Sequence, residues 1–316
     1  MAHDVVSLGE LLIDLVPLPD EGQGLSFVAK PGGAPGNAAV GLAKLGRSVA
    51  MLSKVGADAF GRLLTSTVEA AGVSIAGIAV SPVHRTGLAV VTLDAGGDRD
   101  FLFYRENCAD VNFSVEEVRE DLIRAAGILH VNSLVLASPI SADAQRHAIS
   151  VAHKAGILIS ADPNLRPLLW ADRAAMVAAA REVVGTANIL KIGEDELATI
   201  TGISDPHEAL RSLWHPGLQV AAITAGARGA TIVTPDERVT VQGMPVRVVD
   251  TTGAGDAFMA AFLAGLLDSG FDLSRVSLEK IGIEACAFGA ITTTAAGGMD
   301  AMPDRDKLES FLGDRS

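Results

Sequence analysis

A carboxylate that directly follows Gly253-Ala254-Gly255 is the residue in this chain best placed to do chemistry. The stretch Val249-Asp250-Thr251-Thr252-Gly253-Ala254-Gly255-Asp256 opens on β-branched residues, turns at the glycines and runs into an apolar segment with no breaker before Ser269. It reads as strand, glycine turn and buried helix. The first N–H groups of such a helix point outward with the positive end of its dipole, so Gly253, Ala254 and Gly255 form a cradle for an anion. Asp256 would repel a bound phosphate, unless its task is to take a proton from the group that attacks that phosphate. The plainer alternative is a helix-start carboxylate that complements the dipole, which also predicts a low pKa for Asp256.

Other polar residues stand where ligands meet α/β sheets. Asp14 interrupts the apolar run Leu11–Val16, so it lies at a strand edge or faces a cleft. In Lys30-Pro31-Gly32-Gly33-Ala34-Pro35-Gly36-Asn37, Gly32 and Gly33 allow a close backbone approach and Asn37 offers a donor and an acceptor to a hydroxyl. Asp162-Pro163-Asn164-Leu165-Arg166 follows a predicted strand, at the end where open parallel sheets bind ligands. Asn164 and Arg166 are candidates there for substrate or phosphate, with a loop-closing salt bridge as the alternative for Arg166. Gly193-Glu194-Asp195-Glu196 opens a helix with ordinary dipole complements. No Gly-x-x-x-x-Gly-Lys-[Ser/Thr] motif occurs, which excludes a P-loop enzyme.

The Asp250–Asp256 run with its apolar helix resembles the C-terminal signature of the ribokinase-like (PfkB-type) carbohydrate kinases, and the Gly32–Asn37 stretch resembles their N-terminal sugar-binding signature. Asp162-Pro-Asn-Leu-Arg followed by Leu169-Trp170 is similar to fructokinases and, less closely, to 2-keto-3-deoxygluconate kinases. The resemblance covers essentially the whole chain. It implies transfer of the γ-phosphate of ATP, with Mg²⁺, to a primary sugar hydroxyl, with Gly253–Gly255 as anion hole and Asp256 as catalytic base. It also implies that Asp14 and Asn37 hold sugar hydroxyls, that Lys191 lies near the ATP phosphates, and that Glu196 helps to place Mg²⁺ through water. Thr224-Ala-Gly226-Ala-Arg-Gly229 resembles the family's nucleotide loop. Asp250 and Thr252, with the closing loop Ile291–Gly298, would hold a monovalent cation such as K⁺. Cys286 stands where related kinases often carry an asparagine beside adenine.

Fructokinase is the first expectation. 2-Keto-3-deoxygluconate kinase comes next, then ribokinase or nucleoside kinase, and an inactive sugar-binding regulator is the reading from a different class. The lid tyrosines of many ketodeoxygluconate kinases align with Ala89 and Phe103, which cannot hydrogen-bond an acid substrate through their side chains.

Composition limits the partners. The net charge of −13, from 38 acidic and 25 basic residues, argues against nucleic acid and anionic membranes, and requires local cations to meet an anionic substrate. Cys108 and Cys286 form no metal-binding or disulfide pattern. No apolar stretch approaches the ~18 uninterrupted residues of a membrane span, and a soluble, cytoplasmic protein is expected.

The elements that must position these residues alternate. Strands at Val5–Leu8, Val49–Ser53, Ser74–Val80, Ile128–Asn132, Ile157–Ala161, Asn188–Ile192 and Val220–Thr224 are interleaved with helices at Ala38–Leu45, Asp58–Ala71, Val115–Ala125, Ser141–Ala155 and 193–202. This predicts one three-layer α/β/α domain over residues 1–316 with a mostly parallel sheet. Leu88–Leu93 and Asp100–Arg105, joined at Gly96-Gly97-Asp98, read as an inserted hairpin with Phe101, Phe103 and Arg105 on one face. By resemblance it belongs to a small β-sheet lid (about residues 11–30 and 86–106) that closes over the sugar and forms a homodimer contact. Arg105 is expected to reach the substrate from this lid, as an exposed residue of little weight for folding.

Overall fold

The computed structural model describes residues 3–18, 24–93 and 99–314; the Gly96–Asp98 turn lies outside them. In chain order it contains β1 (His3–Leu8), β2 (Leu12–Pro17), β3 (Phe27–Gly32), α1 (Ala34–Lys44), β4 (Val49–Gly56), α2 (Ala59–Ala70), β5 (Ser74–Ser81), β6 (Gly87–Leu93), β7 (Arg99–Tyr104), α3 (Glu120–Arg124) and β8 (Ala126–Asn132). There follow α4 (Pro139–Ala155), β9 (Leu158–Asp162), α5 (Arg173–Val184), β10 (Ile189–Gly193), α6 (Glu194–Thr201), α7 (Pro206–Leu213), β11 (Val220–Thr224), β12 (Gly229–Val233), β13 (Arg238–Gln242), α8 (Ala254–Asp268), α9 (Arg275–Thr292) and α10 (Arg305–Gly313).

Nine strands form one sheet in the order β13-β12-β11-β10-β9-β8-β1-β4-β5, parallel except for the β11–β12 and β12–β13 pairs. Short runs such as Val220-Ala-Ala-Ile and Ile189-Leu-Lys-Ile are buried on both faces, as helices above and below a parallel sheet require. One core joins the sheet to α1, α2, α8, α9 and α10. The other joins it to α3–α7. The three layers anticipated from the alternation are therefore present.

A separate four-stranded sheet, β3-β2-β6-β7, has antiparallel outer pairs and a parallel β2–β6 pair at its centre. Asp58 ties this sheet to the main body. Its carboxylate caps α2 by accepting from Gly61 N (2.8 Å) and also accepts from Thr86 N (2.9 Å), just before β6.

Three local readings change. Residues 246–250 pair with no described strand, and Val248 and Val249 are exposed; β-branched residues alone do not make a strand without a neighbouring edge. Helix α1 begins four residues earlier than expected, because Pro35 fits a first helical turn, where a missing N–H costs nothing. The predicted helix 115–125 is broken into a 3₁₀ turn at Val115–Glu117 and the short α3. Among the described residues no helix is long and apolar enough to cross a membrane.

Candidate active site

Helix α8 delivers Asp256. Gly253 caps it with φ of 78°, a left-handed conformation that glycine adopts without strain, and the helix is buried from Asp256 to Leu266 against α1 and α9. A helix apolar on all sides can only be an internal one, so its first turn is rigidly placed. Ala254 N–H turns back to Thr251 O (3.3 Å), which closes the turn.

Two asparagines from distant segments grip the Asp256 carboxylate. Asn37, in the first turns of α1, donates its amide to Oδ2 at 2.8 Å. Asn164, just beyond β9, approaches Oδ1 at 3.4 Å, from a left-handed backbone with φ of 51° that asparagine tolerates better than most residues. Asn37 Oδ1 is buried with no partner among the described residues, so it remains an acceptor for a ligand hydroxyl. Burial raises the pKa of Asp256, while Asn37, Lys191 and Arg166 oppose the rise. Desolvation outweighs these three, contrary to the low pKa anticipated for a helix-start carboxylate.

Lys191, on β10, reaches beneath the glycine turn: a Cβ placed on Gly255 would lie 2.9 Å from its Nζ. It is paired with buried Asp162 at 2.8 Å. Burial works against its charge, but Asp162, Glu196 and Asp256 outweigh that, and its pKa is raised. It therefore stays a cation beside the anion cradle. Asp162 is raised in turn, because its own desolvation exceeds the pull of Lys191.

A cavity of about 420 Å³ joins these groups. Of the residues singled out in the sequence, Asp14, Gly33, Asn37, Phe103, Asn164, Arg166, Lys191, Glu196, Thr252, Gly253, Gly255 and Asp256 line it. Gly33, with φ of 104°, must lack a side chain, since a Cβ there would sit 2.3 Å from Glu10 O. Gly32 closes β3 beside Asp14 without lining the cavity.

Thr224, Gly226 and Gly229 lie outside this cavity, at the end of β11 and in the turn to β12. Thr224 is nevertheless in register with Gly193, so this loop stands next to the start of α6 and Glu196. Asp250 is buried outside the cavity, where it accepts from Thr252 N (2.9 Å) and Gly297 N (3.0 Å) and so ties the glycine turn to the loop after α9.

Arg105 has surroundings other than those expected. It is buried, bonded through Nε to Asp110 at 2.6 Å, and lines a neighbouring groove of about 710 Å³ rather than this cavity. Glu196 accepts from Leu165 N (2.7 Å) and Gly193 N (2.9 Å), one bond to each oxygen. Each oxygen keeps a lone pair free, which suits a hydrogen bond from a water held by Mg²⁺. Among the described residues no three His, Cys, Asp or Glu side chains converge to hold a metal.

Glu10, Leu12, Ala34, Leu134 and Thr251 also line the cavity and are not among the site residues singled out in the sequence. Leu12 and Leu134 carry no local signal, whereas Ala34 and Thr251 lie inside the two signature stretches. Glu10 carries one: a glutamate next to a strand-ending glycine inside an otherwise apolar run is as anomalous as Asp14.

Comparison with known proteins agrees with this architecture. Fructokinase-2 of Solanum lycopersicum is 38% identical over 313 residues, covering 98% of this chain and 95% of its own. The crystal structure of a fructokinase with bound ATP from Xylella fastidiosa is 29% identical and superposes with a TM-score of 0.92 over 98% of each chain. That of a fructokinase from Vibrio cholerae O395, bound to fructose, ADP and a calcium ion, is 33% identical with a TM-score of 0.88 over 98% of each chain. The pfkB family carbohydrate kinase profile matches residues 2–305, and with a full-length relative at this identity the chain belongs to the pfkB family of carbohydrate kinases.

Proposed function

We propose that this chain is an ATP-dependent fructokinase, which transfers the γ-phosphoryl group of Mg²⁺-ATP to the primary hydroxyl of fructose. The observation that carries the reading is one cavity lined together by Asp14 and Asn37, which suit a hydroxyl, by Gly253, Gly255 and Lys191, which suit a phosphate, and by the Asp256 carboxylate. Phosphoryl transfer needs an acceptor oxygen, a phosphoryl group and a base brought together with charge stabilisation, and little covalent help beyond that. Asp256 would accept the hydroxyl proton, while Lys191 and the start of α8 stabilise charge on the phosphoryl oxygens. Arg166, exposed at the rim, would meet an anion entering from solvent. Thr224, Gly226 and Gly229 would carry the nucleotide beyond the cavity, and Glu196 would hold Mg²⁺ through water.

An uncharged acceptor is favoured over a sugar acid. Ala89 is buried and Phe103 faces the cavity, so neither side chain can hydrogen-bond a carboxylate, and the Arg105 cation is engaged by Asp110. The four-stranded sheet would act as lid of a single domain. Its exposed Leu102 and Tyr104 suit a contact between two copies, which would make the protein a homodimer of the cytoplasm. Asp250, which already ties two loops together, would bind K⁺ and order the glycine turn.

ADP release should be measured over fructose, ribose, adenosine and 2-keto-3-deoxygluconate, in K⁺ and in tetramethylammonium at equal ionic strength. Fructose should give the highest kcat/KM, with kcat higher in K⁺. A preference for the acid would replace the reading by a ketodeoxygluconate kinase, and binding without turnover would make the chain a sugar-binding regulator. Equal rates in both salts would remove the cation, and a monomer by light scattering would remove the lid contact.

A further inference from the structure

Glu10 is a charged residue at the cavity wall to which no step above gives a task. It is almost fully buried, and its two oxygens are held by two different elements. Oε1 accepts from Ala34 N at 3.1 Å, at the first residue of α1. Oε2 accepts from the Asn132 amide at 2.8 Å, at the end of β8. Asn132 is itself fixed, since its Oδ1 accepts from Val135 N (3.3 Å) and its backbone carbonyl from the Gln145 amide (2.9 Å). Burial raises the pKa of Glu10, while Arg105 and Asn132 favour its charged form.

The backbone of the same residue packs against the turn that its side chain clamps. Glu10 O occupies the space that a side chain on Gly33 would need. Gly33 O then accepts from Asn37 N at 2.8 Å, one helical turn on, and Asn37 donates to Asp256. A displacement at Gly33–Ala34 would therefore pass directly to the amide that orients the base and offers its oxygen to the acceptor.

We propose that Glu10 is a positioning residue of the acceptor half of the site, holding the Gly33–Ala34 turn against β8 and thereby setting the reach of Asn37 to Asp256 and to the sugar. This rests on reading the cavity around Asp256 as the acceptor site. The hydrogen bonds to the Glu10 carboxylate come from Ala34 and Asn132, on the acceptor side, so its influence on the nucleotide side is small.

The test is steady-state kinetics of Glu10→Gln and Glu10→Ala in the full chain, with fructose and Mg²⁺-ATP varied separately and thermal unfolding measured alongside. Glutamine can still accept from Ala34 N–H but presents a donor to the Asn132 amide and loses the attraction of Arg105. The expected result for Glu10→Gln is a fructose KM raised roughly tenfold, a smaller fall in kcat and an ATP KM changed by less than about twofold. Glu10→Ala should shift the fructose KM further in the same sense, so that glutamine counts as partial rescue. A folded Glu10→Gln with both KM values unchanged, or with both raised alike, overturns the proposal, and this variant alone decides if Glu10→Ala does not fold. If wild type is inactive on fructose but active on another sugar of the panel, that sugar is varied instead, so a wrong substrate and a wrong role for Glu10 give different results.

Discussion

Asp256 has to satisfy two conditions that pull its acidity in opposite directions. As a base it must be ionised at working pH, yet burial at the start of α8 raises its pKa. The amides of Asn37 and Asn164 and the charge of Lys191 recover part of the lost hydration. Protonation removes the base, so kcat/KM should fall as pH falls, with an acidic limb above the ordinary aspartate value of ~4. Asp256→Asn should lower kcat by roughly 10²- to 10⁴-fold and abolish that limb, with ATP still bound and the protein folded. Near-normal turnover of the variant would reduce Asp256 to a helix-start carboxylate. The importance of Asp256 was legible because glycine turn, acid and apolar run are contiguous. The grip of Asn164 was not, since 92 residues separate it from Asp256 and only the sheet brings them together.

At the scale of elements, alternation of short apolar strands with helices was enough to anticipate the layers, because a parallel sheet needs its crossovers. Contacts made after folding were harder to foresee. The hairpin strand ending at Tyr104 leads to Arg105 turned inward to Asp110, where the resemblance to a lid had it reaching a substrate. Alternation gives the face of a strand but not what covers that face. The consequence is a reversal of emphasis for this residue, from substrate contact to stability. Arg105→Ala leaves the Asp110 carboxylate buried without its cation and should cost about 3–5 kcal/mol. Denaturant unfolding of Arg105→Ala and of the double variant with Asp110→Ala measures it, with the double variant the more stable of the two. A loss below ~1 kcal/mol in Arg105→Ala would place the arginine in solvent.

At the scale of the whole molecule, one source of acid sensitivity lies in the centre of the sheet. His130 on β8 is buried against Ser160 on β9, at 3.0 Å from its hydroxyl. Burial, with repulsion from Lys191, pushes its pKa from 6.5 down to about 4. A depressed pKa means that the unfolded chain takes up the proton first, so stability is complete above about pH 6.5 and is lost as pH falls toward 4. The contribution of His130 between pH 7 and pH 5 is about 2 kcal/mol. Comparing urea midpoints of wild type and His130→Gln at the two pH values should show a smaller drop for the variant. Equal drops would mean that His130 titrates alike in both states.

The bond between Asn37 and Asp256 closes a loop of 219 residues. Ring closure of that length in a flexible chain costs roughly 5 kcal/mol of entropy, while one hydrogen bond returns only about 1–3 kcal/mol. The two residues therefore cannot find each other as a pair. They meet because the packing of α1 against α8 brings their elements together, so the reactive centre is expected to form late in folding.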